Sequence, residues 1–346
     1  MSQAAPNPVT VEVTRGPLVE SRHHGSVAVV DDTGRIVCAI GDVGAKTFPR
    51  SAIKVLQALP LVESGAAEAL DFDDAELALC CASHSGEAVH VKSARVMLMK
   101  AGLSEEDLEC GPQWPKRLED IAELIRADEK PGALYNNCSG KHAGFLGLAK
   151  VLGAQTRGYV DASHPVQQEI KAVVEAFTGE TLSEDVCGID GCSIPTYGTS
   201  LTGLARAFAI FGTGEGLEPG RAEACERLYE ACVNEPFMVA GTERFCTDVM
   251  AAFRGRVFVK TGAEGVFCAS VPEKGLGIAL KCEDGATRGS ECMLATVLEV
   301  VLETNEDEAK VLDHFVNPPV ETRLGVKAGD IRPATGFLDA LKADLA

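Results

Sequence analysis

The chain has 346 residues with 32 basic and 51 acidic side chains, giving a net charge of −19 and a pI of about 4.8. Hydrophobic residues make up 46% of it, which supplies a core and excludes a disordered chain. The acidic balance excludes nucleic acid as the main partner and disfavours an anionic membrane surface, because both need a basic face.

In chain order, residues 1–7 are predicted to be a loose tail and residues 8–346 one domain. Residues 8–14 and 26–31 alternate as strands, Asp32-Thr33-Gly34 turns the chain, and 35–40 returns as the second arm of a hairpin. Pro49 precedes a helix beginning near Ser51, and Pro60 is predicted to end or kink it. Further helices are predicted at 88–101, 118–126, 141–152, 165–177, 197–211, 219–233 and 242–253. Three β-like runs, 256–260, 265–271 and 276–282, follow with short turns between them and read as an antiparallel meander. Helices at 288–304 and 307–315 precede a last strand at 323–332. Strands thus open and close the chain around a helical block, which points to an α+β domain whose central antiparallel sheet draws on both chain ends. No G-x-G-x-x-G follows a strand and no G-x-x-x-x-G-K-[ST] is present, so a nucleotide site has little support.

The 13 cysteines are odd in number and irregularly spaced, and several, such as Cys80 and Cys81, sit in apolar runs. They read as buried thiols in a reducing cytoplasm rather than a disulfide framework. The first ten residues carry no basic region or apolar segment of a signal peptide. The longest apolar stretches fall well short of a membrane span.

Four segments carry candidate chemistry. In Pro49-Arg50-Ser51-Ala52-Ile53-Lys54, a serine three residues before a lysine places hydroxyl and amine on one helix face, where a deprotonated lysine activates the serine. Lys260-Thr261-Gly262 closes a strand, and a K-T-G triad of this kind lines the active site of penicillin-recognising serine acyltransferases. A second lysine near Lys54 would favour one neutral amine. In Ser83-His84-Ser85-Gly86-Glu87, Ser83 could relay protons between the lysines. A Ser-His-Asp triad through His84 lacks the G-x-S-x-G elbow it needs. In Asn136-Asn137-Cys138-Ser139-Gly140-Lys141-His142, Cys138 and His142 are plausible soft-metal ligands, with Cys192 of Asp190-Gly191-Cys192 as a third. The spacing is not that of C-x-x-C pairs, so it does not specify zinc. Each segment alone also fits a structural role: a helix cap, an exposed turn lysine, a hydrogen-bonded loop, a buried thiol.

Together the segments resemble the rhizobial-type (class 3) L-asparaginases. The match runs from Val13-Thr14-Arg15-Gly16 through Arg50-Ser51-Ala52-Ile53-Lys54, Ser83-His84-Ser85-Gly86-Glu87, Asn137 to Gly144, Asp190-Gly191-Cys192 and Lys260 to Gly265, to Gly329-Asp330-Ile331-Arg332-Pro333. The resemblance implies a fold like that of serine β-lactamases and transpeptidases, a homodimer, and hydrolysis of L-asparagine to L-aspartate and ammonia without a required cofactor. It implies Ser51 as nucleophile with Lys54 as base, and Ser83 with Lys260 as a second serine–lysine pair. It implies Zn2+ near the active site on Cys138, Lys141 and Cys192. Arg50, His142, Asp190 and Cys138 would contact the substrate, with Asp190 taking the α-ammonium. The alternatives are a glutaminase on the same scaffold, a metallohydrolase using zinc-bound water, and a non-catalytic sensor of an amino acid or metal.

Overall fold

The computed structural model describes residues 6–345. Residues 1–5 of the predicted tail lie outside these. Asn7, its last residue, is tied down: its side chain donates to Glu283 Oε1 at 2.8 Å and accepts from Asp42 N at 2.6 Å, and its carbonyl meets His24 Nδ1 at 2.8 Å.

Among the described residues ten strands form: β1 (Val9–Arg15), β2 (Leu18–Asp31), β3 (Ile36–Ile40), β4 (Cys187–Ile189), β5 (Pro195–Tyr197), β6 (Phe258–Thr261), β7 (Val266–Val271), β8 (Leu276–Cys282), β9 (Pro319–Glu321) and β10 (Lys327–Pro333). Eight make one antiparallel sheet in the order β6-β7-β8-β2-β1-β10-β9, with β3 also pairing β2. Both chain ends therefore share a central sheet, as the pattern of predicted strands implies.

Strand β2 is longer than predicted because it serves two partners. Its first half pairs with β1 and is only partly buried; its second half, Gly25 to Asp31, pairs with β8 and is buried nearly throughout. That second half reads as a continuous apolar run because helices cover both faces of the sheet. The helix Leu201–Thr213 lies on one face so closely that a Cβ on Gly277 of β8 would stand 1.9 Å from Ala205 O. The helix Thr287–Val301 lies on the other, with Gly289 against the Cys282 sulfur.

Several elements differ from expectation. The helix Lys54–Glu63 runs past Pro60, whose carbonyl accepts from Ser64 N at 3.1 Å. Proline there removes only one donor, and burial of Leu56, Leu59 and Leu61 holds the last turn. The apolar run before Ser83 is a helix, Asp74–Cys80, started by a capping box of Asp73 and Glu76. The last predicted strand is a hairpin, β9 and β10, turning at Gly325 with φ +72°. A C-terminal helix, Thr335–Leu345, not anticipated from the pattern, buries Phe337 and Leu341. Among the described residues, no helix is long and apolar enough to cross a membrane.

Candidate active site

Strand β6 sits at the sheet edge, and its alternation decides where its lysine goes. Phe258 stacks on Phe208 of the helix Leu201–Thr213 with ring centroids 6.1 Å apart. Lys260, two residues on, projects to the same side, toward the helical block. It is fully buried and its Nζ lies 2.8 Å from Ser83 Oγ. Gly262, which follows, has no room for a side chain: a Cβ would stand 2.7 Å from Pro49 O. The glycine therefore lets the sheet edge lie against the backbone that leads into Ser51.

Ser51 belongs to a one-turn 3-10 helix, Arg50–Ile53, that feeds the helix beginning at Lys54. With three residues per turn, positions i and i+3 eclipse, so Ser51 and Lys54 share a face. Arg50 enters this turn in the left-handed region, φ +51°, which costs a non-glycine residue about 1 kcal/mol or more. The sequence gives no sign of that strained entry.

Lys54 is fully buried and donates to the carbonyls of Ala82 and Asn137 (the latter at 3.4 Å) and to Ser83 Oγ at 3.2 Å. Ser83 Oγ is thus held between two lysines. Burial, reinforced by the positive charge of Lys54, pushes the Lys260 ammonium down to about 7. Among the described residues, no hydrogen bond joins Lys54 Nζ to Ser51 Oγ. Ser51 and Ser83 both line a pocket of about 270 Å³, with Asn137, Thr261, Gly262, Ala263, Cys246, Lys116, Arg244 and Glu291 on its walls.

His84 is occupied structurally. Its Nε2 meets Ser139 Oγ at 3.0 Å, its Nδ1 accepts from Gly86 N at 3.1 Å, and its ring stacks on His90 at 5.0 Å. Burial and the neighbouring cations drive its pKa well down. This removes the histidine triad reading.

Behind Lys54 lies a second cluster. Cys138 at the start of the helix Ser139–Val151 and Lys141 one turn on meet Cys192, where Lys141 Nζ is 3.1 Å from Cys192 Sγ. Cys192 and Asp190 come from the turn of the small hairpin β4–β5, which the sequence shows only as Asp190-Gly191 between two short apolar runs. The Cys138 thiol lies 3.3 Å from Asn137 Oδ1; interaction with Cys192, with Lys54 and Lys141, draws its pKa well below the usual thiol range, while Cys138 and burial drive Cys192 up. Burial alone would discharge Lys141, but Cys192, Cys138 and Asp190 keep it above the ordinary lysine value.

Asp190 is engaged by Arg50, whose Nε donates to Oδ1 at 2.6 Å. Burial would raise this carboxyl; Lys141 and Arg50 hold it below the usual range. His142 is fully buried with Nδ1 2.7 Å from Tyr159 Oη, and its Nε2 has no partner. None of Arg50, Cys138, His142 or Asp190 is on the pocket wall. They lie one residue back from it: Asp190 is turned toward Arg50, and the Cys138 thiol contacts Oδ1 of the wall residue Asn137.

The donor chemistry of Cys138, Lys141 and Cys192 suits a soft divalent ion once the amine and both thiols lose their protons, and the unpartnered His142 Nε2 is a polar atom left open in the same helix. A separate trio, His23, Cys282 and Asp284, brings three ligand atoms within 4.8 Å of one another. There Arg288 Nε donates to His23 Nε2 at 3.0 Å, which places the ring proton on Nδ1, 2.6 Å from Asp284 Oδ2. That trio is a closed hydrogen-bond network.

Residues 11–333 match the model of a family described as L-asparaginase II. Among solved structures, "Crystal Structure Analysis of Mglu in its native form" is similar at 15% identity and a TM-score of 0.43, covering 84% of this chain and 66% of that one. "Crystal Structure Analysis of Mglu in its glutamate form" gives 15% and 0.41, covering 78% and 58%. The chain thus spans less than two thirds of either Mglu chain. "Crystal structure of a beta-lactamase from Burkholderia ambifaria" gives 14% and 0.39, covering 82% and 96%. No curated protein sequence matches the chain.

Proposed function

The chain belongs to the L-asparaginase II family, and from that premise we propose that it hydrolyses L-asparagine to L-aspartate and ammonia through an acyl-enzyme on Ser51. Family membership makes it an amidohydrolase of the asparaginase and glutaminase kind. The observation that carries the serine–lysine reading is the buried Ser83 hydroxyl held between Lys54 and Lys260 beside the Ser51 pocket.

In the forward step, Ser83 passes a Lys54 proton to the neutral amine of Lys260. Lys54, now neutral, takes the Ser51 proton as Oγ bonds to the carboxamide carbon. Backbone N–H groups of the pocket wall stabilise the oxyanion, each donor contributing about 3 kcal/mol. The carbon–nitrogen bond then breaks, and the leaving nitrogen takes a proton back from Lys54 and departs as ammonia. Water attacks the ester, gives its proton to the lysine relay and releases aspartate, restoring Ser51 Oγ–H.

Zn2+ on Cys138, Lys141 and Cys192 would supply fixed positive charge behind Lys54 and orient that cluster; the serine–lysine chemistry does not require it. Free thiols at all 13 cysteines suit a reducing cytoplasm, and the chain would work as a homodimer, which sedimentation tests.

One observation favours a second reading: Lys54 contacts Ser83 Oγ and not Ser51 Oγ, so Ser83 could itself be the nucleophile. Substrate choice is tested by ammonia release from L-asparagine, D-asparagine and L-glutamine. The proposal expects L-asparagine to give the highest kcat/KM; a higher value for L-glutamine makes the chain a glutaminase, and no release from any of them removes the amidase assignment.

A further inference from the structure

The pocket above Ser51 carries charges that the serine–lysine chemistry does not use. Arg244 extends from the residue before the helix Phe245–Phe253, and its Nη1 lies 3.4 Å from Ser83 O and 3.3 Å from Ser85 Oγ. Lys116 is held at the wall by its backbone N–H, which donates to Ser85 O at 2.9 Å. Glu291 stands in the first turns of the helix Thr287–Val301. All three line the same pocket. Among the described residues, none of them makes an ion pair within 4.0 Å.

Unlike charges that share a pocket without pairing leave room for a ligand carrying both signs. A pocket of about 270 Å³ suits a single small amino acid, since larger ligands occupy sites of roughly 300–1,000 Å³. Two cations and one anion on its wall complement a carboxylate and an ammonium on one carbon. Glu264 also lines the pocket, but it is exposed at the rim, whereas Glu291 is half-buried on a long helix. Asp190, the carboxylate expected to take the ammonium, is spent on Arg50.

We propose that Arg244 and Lys116 bind the α-carboxylate, and Glu291 the α-ammonium, of the amino acid whose side-chain amide is presented to Ser51. The proposal rests on the amidase reading for the position of the amide. It is supported by the titration of one group: burial pushes the Glu291 carboxyl up to about 7 against the pull of Arg244 and Lys116. Glu291 is thus a charge held in a costly place until a counter-charge arrives.

The test is calorimetric binding to the Ser51→Ala chain, and to the same chain with Glu291→Gln or Arg244→Gln. The probes are L-asparagine, succinamic acid, which lacks the α-ammonium, and 3-aminopropanamide, which lacks the α-carboxylate. Glu291→Gln is expected to weaken L-asparagine roughly 10- to 100-fold and to change succinamic acid less than twofold. Arg244→Gln is expected to weaken L-asparagine and succinamic acid by similar factors and to spare 3-aminopropanamide. Equal losses for all three probes, as misfolding or a purely structural role would give, overturn the proposal, as does unchanged L-asparagine binding. If the ligand-dependent pattern appears but wild type releases no ammonia, the subsite stands and the hydrolase reading falls. If ammonia is released and the pattern is absent, the reverse holds.

Discussion

Lys54 and Lys260, 206 positions apart in the chain, both direct their ammonium nitrogens at one oxygen, Ser83 Oγ, at 3.2 and 2.8 Å. One hydroxyl can accept from one amine and donate to the other, so this arrangement is a proton path. Ser83→Ala cuts that path while leaving Ser51 in place. Steady-state ammonia release should show kcat falling about 100- to 1,000-fold with KM little changed. A variant with near-normal kcat would remove Ser83 from the relay.

The pH profile follows from Lys260. Its neutral form, which receives the proton, dominates above about 7, so kcat should rise between pH 6 and 8 and then level off. The same shift has a stability sign. The folded value lies below the ordinary 10.5, so between about 7 and 10.5 the unfolded chain binds more protons and this group makes folding more favourable as pH rises. Lys260→Met should abolish activity and flatten that part of the stability curve, read by denaturant titration at pH 7 and pH 10.

Gly262 tests whether the close approach of β6 to Pro49 matters to the chemistry. A methyl group there meets a backbone oxygen at 2.7 Å, which neither strand nor turn can yield cheaply. Gly262→Ala should lower kcat roughly 10- to 100-fold and destabilise the protein by about 1–3 kcal/mol. Gly220→Ala, with open space around it, should change neither measurement appreciably.

Metal binding at the rear cluster should be steep in pH, because Lys141 is held charged and Cys192 is held as the thiol, and both must lose a proton to bind. Metal analysis of protein purified without chelator or metal resin should find zinc. Cys192→Ser should lose it while wild-type protein sheds it below about pH 6. Equal zinc in both proteins would place the ion elsewhere.

Glu291→Gln should weaken binding and at the same time stabilise the folded chain by on the order of 1 kcal/mol at pH 8, because it removes a half-buried carboxylate held without a partner. Thermal unfolding checks it; a lower Tm would mean that the carboxylate is paired in the free protein.

The sequence was most legible where chemistry sits in short motifs. Ser51 and Lys54 share a face because they stand three positions apart, and the K-T-G strand is an edge strand that faces them. What was illegible depends on tertiary approach. Arg244, Lys116 and Glu291 are single charges in unrelated segments, with no spacing that marks them. The family resemblance implies Asp190 and Arg50 as substrate contacts, but their mutual ion pair forms only when the β4–β5 hairpin folds over the Ser51 turn. The strained φ of Arg50 is likewise a product of the fold, since arginine carries no local preference for that region.

The nucleophile is tested most directly by peptide mapping with mass spectrometry after acid quench of the enzyme during L-asparagine turnover. An aspartyl ester is expected on the peptide carrying Ser51 and absent in Ser51→Ala. An ester on the peptide carrying Ser83, or turnover by Ser51→Ala at near the wild-type rate, would contradict Ser51 as the nucleophile.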